Sequence, residues 1–91
     1  MQSIISNDKK CYISGYTHNL EKHHCMNGTA SRKKADEDGL WVWLNHDIHM
    51  AVHSYRPDWK RELKAIAQTA YEKTHSRDEW MARYHKNYLK D

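Results

Sequence analysis

The sequence predicts a small α+β domain: two short strands and a short helix, followed by further helices, with residues 1–91 forming one unit. Three observations point there. The run Leu40 to Leu44 is apolar and β-prone. His49 and His53 follow it at helical spacing. From Pro57 onward, apolar residues recur three and four apart. A chain of 91 residues with 38% hydrophobic content has surface enough for one core and too little to close a second.

The first ten residues, MQSIISNDKK, are polar and aperiodic and read as a loose lead-in. CYISGYTHN reads as a turn or knuckle in which Gly15 is free to take a positive φ. LEKHHC, from Leu20, is a short strand. MNGTASRKKADEDG has Asn27, Gly28 and Gly39 at its ends and mixed charge between them, the pattern of a long polar loop. In the second strand, Trp41 and Trp43 take one face while Leu40, Val42 and Leu44 take the other. Asn45 is placed to cap the helix HDIHMAVH. Pro57 opens a second helix, running to about Thr74, with Leu63, Ile66, Ala67, Ala70 and Tyr71 on its apolar face. Ser76 and Glu79 match a capping box, and Trp80, Met81 and Tyr84 supply the apolar side of a last helix. The strand–strand–helix unit thus spans 11–53 and the C-terminal helices 57–91.

Fifteen Lys and Arg against twelve Asp and Glu leave a net charge of +3, mild beside strongly basic nucleic-acid binders, so charge alone establishes no DNA partner. No stretch approaches the roughly 20 apolar residues of a membrane span. The start of the chain lacks the apolar centre of a secretory signal, and a soluble cytoplasmic protein is expected. Cys11 and Cys25 are too few for a disulfide framework and are expected as free thiols. Four Trp and six Tyr with no Phe imply a thin, aromatic-edged core, which a metal tying distant segments together would stabilise.

Eight histidines exceed what so small a core needs, and their spacing says more than their number. His49 and His53, four apart on a helix, can meet one ion. A third imidazole from the neighbouring strand, His23 or His24, would leave positions open for water and substrate. The other member of that pair then lies beside the ion, able to take a proton from water near neutral pH. A lone HxxxH is unspecific and is more often a surface or packing pair; the adjacent HH and the intervening strand are what give it weight. His18, His46, His75 and His85 read as solvent-facing, with His46 near enough to act as a reserve ligand. Arg32, Lys33 and Lys34 lie between the strands, where they can meet the phosphates of a nucleic acid, although a solvated turn explains them equally well. Lys60, Arg61 and Lys64 read as a solvated helix face, and Trp41 with Trp43 as core packing.

LEKHHC followed by GLWVWLNHDIHMAVH resembles the HNH, or His-Me finger, endonuclease family over residues 11–53. With the RKK segment and the C-terminal HKNYL, the whole run is also similar to small HNH-like proteins carried by phages and prophages. The resemblance implies a ββα-metal unit holding one divalent ion (Zn, Mg, Mn or Ni) and hydrolysing DNA phosphodiester bonds. It implies His24 as the base and His23, His49 and His53 as the ligands. DNA is the implied partner, with a phage or host protein as a further one.

Three features depart from the family. Its middle Asn falls here on Leu40, leaving Asp38 or Asn27 to clamp the loop. Of the four cysteines that hold a structural zinc in many relatives only Cys11 remains, with Ser14, Asn45 and Ile48 at the other places, so no zinc ribbon is expected. Finally, adjacent strand residues point to opposite faces, so His23 and His24 share a site only if the strand twists or ends there. The alternative function is a catalytically impaired module that binds DNA or a host protein.

Overall fold

The computed structural model describes residues 1–89. Its elements are β1 (Leu20–His24), α1 (Thr29–Asp38), β2 (Trp41–Asn45), α2 (His46–Ser54), α3 (Pro57–Tyr71) and α4 (Arg77–Tyr84). β1 and β2 pair antiparallel, from Leu20 opposite Asn45 to His24 opposite Trp41. Directly opposed residues share a sheet face. Glu21 and His23 therefore lie on the face of Leu44 and Val42, both buried, while Lys22 and His24 lie with Trp43 and Trp41. On that second face the Lys22 ammonium sits 4.3 Å from the centre of the Trp41 ring. This α+β arrangement is ββα-like, with one addition.

The addition corrects an expectation: most of the segment read as a long polar loop is the helix α1. Arg, Lys, Ala and Glu are good helix formers. Only Ala35 of α1 is buried, so the helix packs through one small side chain and shows no apolar stripe for periodicity to detect. It ends in a Schellman closure, with Gly39 at φ 72° and the Leu40 N–H bonded to Ala35 O at 2.8 Å. A side chain at Gly39 would also collide with the Gln2 carbonyl.

That contact belongs to a second correction, because the start of the chain is not a loose lead-in. Ile4 N–H donates to Gly39 O at 2.9 Å, Trp41 Nε1 to Met1 O at 3.0 Å, and the buried Ser3 hydroxyl to Trp41 O. All three bonds end on main-chain carbonyls, which leave no pattern in side-chain character.

The remaining elements follow the sequence closely. Asn45 caps α2 by accepting from Asp47 N–H at 3.0 Å, while its amide donates to His18 O. α3 begins at Pro57 and buries Leu63, Ala67, Gln68, Ala70 and Tyr71; Ile66 is half-buried at the edge of the core, and the helix stops at Tyr71. Leu63 and Ala67 join Val42, Leu44 and Val52 in one cluster, so α3 closes the core over the ββα unit. Gln68 is wholly buried, yet its amide donates to Glu72 and Asn87 and its carbonyl accepts from Tyr88 N–H. α4 carries the Ser76–Glu79 capping box and packs Trp80 and Tyr84 against Tyr71. It also anchors α1: Tyr84 Oη donates to Asp38 at 2.6 Å, Arg83 Nε donates to the same carboxylate, and Lys34 Nζ donates to Arg83 O at 3.0 Å. Asp38 thus ties α1 to α4. Among the described residues no helix is long and apolar enough to cross a membrane. Cys11 and Cys25 are buried free thiols.

Candidate metal centre

Sheet register turns the His23 side chain inward, opposite Val42, and α2 brings His49 and His53 onto it one turn apart. The His23 ring centre lies 5.2 Å from that of His49 and 5.4 Å from that of His53, and the last two are 4.8 Å apart. One nitrogen from each ring falls within 4.8 Å of the other two. The three grade from buried (His23) through half-buried (His49) to exposed (His53), so the cluster is walled by the core and open on one side.

His23 Nε2 is buried and has no hydrogen-bond partner. An orphaned polar atom in the core is costly, and a ligand that accepts its lone pair would remove that cost. Burial, followed by the neighbouring charges of His49 and His53, pushes the His23 pKa down to about 3. Burial also lowers that of His53, with His49 and Lys60 adding to the effect. Both rings are thus neutral near pH 7, the form that ligates metal. The donor set fits a divalent ion.

Glu21 sets the third ring. Its carboxylate receives His49 Nδ1 at 2.8 Å and His46 Nδ1 at 2.8 Å. Hydrogen bonds from His46 and His49 hold it below the ordinary carboxylate range, so it accepts and the proton sits on each Nδ1. His49 is left with Nε2 free to ligate, the arrangement by which outer carboxylates orient metal-bound imidazoles. His46, the reserve ligand, is instead exposed and bound to Glu21, which raises its pKa. Strand alternation was the available signal for Glu21, which shares a face with His23 two residues on.

His24 closes β1, and the strand's end answers the problem of adjacent residues. Although it stands opposite Trp41, it lines the same cleft of about 750 Å³ as the three histidines. Its Nε2 lies 3.1 Å from Asp36 Oδ1, and Lys22 Nζ lies 3.5 Å from the same oxygen. The bond from His24, and then the charge of Lys22, keep Asp36 ionised. The Nε2 position of His24 therefore carries its proton and Nδ1 carries the lone pair. Asp36 could not be found while its segment was read as a loop; helical spacing places it one turn from Arg32, on the face that lines the cleft.

Arg32 and Lys33 also line the cleft, whereas Lys34 is turned to α4. Asn27 lies at the cleft, and Asp38 is engaged with α4. His18, His75 and His85 are exposed. Comparison with known protein families, curated proteins and solved structures finds no match to this chain.

Proposed function

We propose that this protein is a metal-dependent, HNH-like endonuclease that hydrolyses DNA phosphodiester bonds in a bacterial host cell. His23, His49 and His53 hold one divalent ion and His24 is the general base. The observation that carries this reading is the buried, unpartnered Nε2 of His23, in a ring clustered with two further imidazoles beside an open cleft that also receives His24. Three imidazoles suit Zn or Ni well and Mn less closely, while Mg prefers oxygen ligands. When bound, the ion would polarise a phosphate oxygen and stabilise the leaving oxygen.

The chain's own residues supply the proton chemistry. Asp36 fixes the His24 ring with Nε2–H, so Nδ1 is the atom that takes the proton from water. The same carboxylate then stabilises the imidazolium that forms. Arg32 and Lys33 meet backbone phosphates along the cleft. Leu40 cannot form the family's asparagine clamp, but the link between the strands is held otherwise. Leu40 N–H bonds Ala35 O, Cys25 N–H bonds Leu40 O at 3.0 Å, and α1 is pinned to α4.

The second reading, a module that keeps the metal for folding and binds DNA or a host protein without turnover, is favoured by one observation: an apolar, fully buried Leu40 where the family has Asn. Incubation with plasmid and single-stranded DNA across Zn, Mg, Mn and Ni separates the two. Cleavage is expected, and His24→Ala should reduce it by roughly 10²–10⁴-fold while metal binding persists. A folded, metal-bound wild type that cuts neither DNA with any ion refutes the enzyme and leaves the module.

A further inference from the structure

Glu21 stands between two histidines, and only one of them belongs to the metal centre. Its Oε1 accepts from His49 Nδ1 and its Oε2 from His46 Nδ1, each at 2.8 Å. His46 and His49 lie three apart on α2, so both rings leave the same side of the helix. Glu21 shares the sheet face of His23 and stands opposite Leu44, just before α2 begins. The start of α2 is itself fixed to the chain that leads into β1. His46 N–H donates to Asn19 O at 2.9 Å, and the Asn45 amide donates to His18 O at 3.0 Å. The backbone that carries the His46 ring is thus held beside the strand that carries Glu21.

Packing does not account for where the His46 ring lies. Its side chain is 54% exposed, and it does not line the cleft of His23, His24, His49 and His53. It lines instead a separate cleft of about 410 Å³ with His18 and Asp47, onto which Glu21 also opens. Any influence of His46 on the three-histidine centre therefore passes through Glu21. The Glu21 side chain is partly exposed and has several rotatable bonds, so one hydrogen bond to His49 leaves it able to swing into water. A second donor on the other oxygen removes that freedom. The orienting effect of an outer carboxylate on a ligating imidazole depends on its own placement.

We propose that His46 is a positioning residue of the three-histidine centre: it holds Glu21 Oε2, so that Oε1 keeps the His49 ring turned with Nε2 toward the ion. The inference rests on the metal reading above, and one arm of its test needs no metal. Calorimetry with Zn at neutral pH compares wild type, His46→Ala and His46→Asn. His46→Ala should weaken binding roughly three- to tenfold, less than the loss of the outer carboxylate itself. His46→Asn should restore most of that loss, because its amide nitrogen lies as far along the side chain as Nδ1 and can donate to the same oxygen. Both variants should melt close to wild type in chelator, since the ring removed is an exposed one. Weakened binding is then not lost folding.

The second arm reads the His49 ring directly, in metal-free protein labelled with ¹⁵N. Side-chain spectra of wild type should show His49 with its proton on Nδ1. In His46→Ala a share of the Nε2–H form should appear, and in His46→Asn that share should shrink again. The proposal is overturned if His46→Ala binds Zn as tightly as wild type or tighter, if His46→Asn restores nothing, or if the His49 tautomer is the same in all three proteins. Failure of the metal reading would show separately, as a wild type that binds no divalent ion while the tautomer change in His46→Ala persists.

Discussion

Mild acid should destabilise the metal-free protein well above the range where carboxylates titrate, and His23 is the reason. Its pKa is about 3 in the folded chain, against an ordinary 6.5, chiefly because burial disfavours the charged ring. Between those values the unfolded chain holds a proton on His23 that the folded chain does not. Stability from this residue is therefore complete above pH 6.5 and is lost as pH falls. At about 1.4 kcal/mol per pH unit, an experiment at pH 5 sits about 1.5 units into the window and loses about 2 kcal/mol. That is a large share of the roughly 5–15 kcal/mol that holds a typical domain together. His53, also lowered, acts in the same direction. His46 acts against it: its pKa is raised by Glu21, so its contribution is full below pH 6.5 and fades as pH rises through its folded value. Glu21 and Asp36 are lowered carboxylates and lose their contribution only in stronger acid. Urea denaturation in chelator at pH 7.5 and pH 5 should show the loss in wild type and a clearly flatter response in His23→Leu. Equal pH responses in the two proteins would refute the reasoning.

Zinc or nickel affinity should weaken as pH falls through the histidine range, read by calorimetry, since ligation requires neutral rings. His53→Ala should lose both the metal and the rise in melting temperature that metal confers; unchanged stoichiometry in both His49→Ala and His53→Ala would sink the site. Glu21→Ala should lower metal affinity by roughly 10–100-fold with Glu21→Gln retaining more, because only Gln can still accept from His49 Nδ1–H; equal affinities would deny Glu21 an orienting role. Leu63→Ala should cost about 2–5 kcal/mol in chemical denaturation and the half-buried Ile66→Ala less, and the reverse order would mean that α3 packs on a different face.

What was legible in the sequence were the elements whose burial leaves a period. β2 shows its buried face as Val42 and Leu44, α3 shows a stripe, and the caps at Asn45 and Ser76 use side chains with one dominant purpose. The histidine triad was legible because helical spacing alone brings His49 and His53 together. α1 was not, since a helix that buries only Ala35 looks like a charged loop, with Gly39 as its one local sign. Neither were the docking of Ser3 and Ile4, the bonds that Glu21 and Asp36 make to histidines, nor the inward turn of His23 rather than His24. All of these depend on strand register and on contacts between distant segments, which side-chain pattern does not encode.

The tie between Asp38 and the Arg83–Tyr84 pair has a consequence for the order in which the protein comes into being. α1 is synthesised well before α4, and a helix of ten residues is marginal by itself in water. On a growing chain the histidines of β1 and α2 can gather as soon as both have emerged. The opposite wall of the cleft, with Asp36 and the first turn of α1, is held early by His24 and Lys22 of β1 and gains its last anchors when Arg83 and Tyr84 arrive. A nascent chain would thus gather its three histidines before the far wall of the cleft is fully braced, and on the nuclease reading proposed above ion capture would precede full activity.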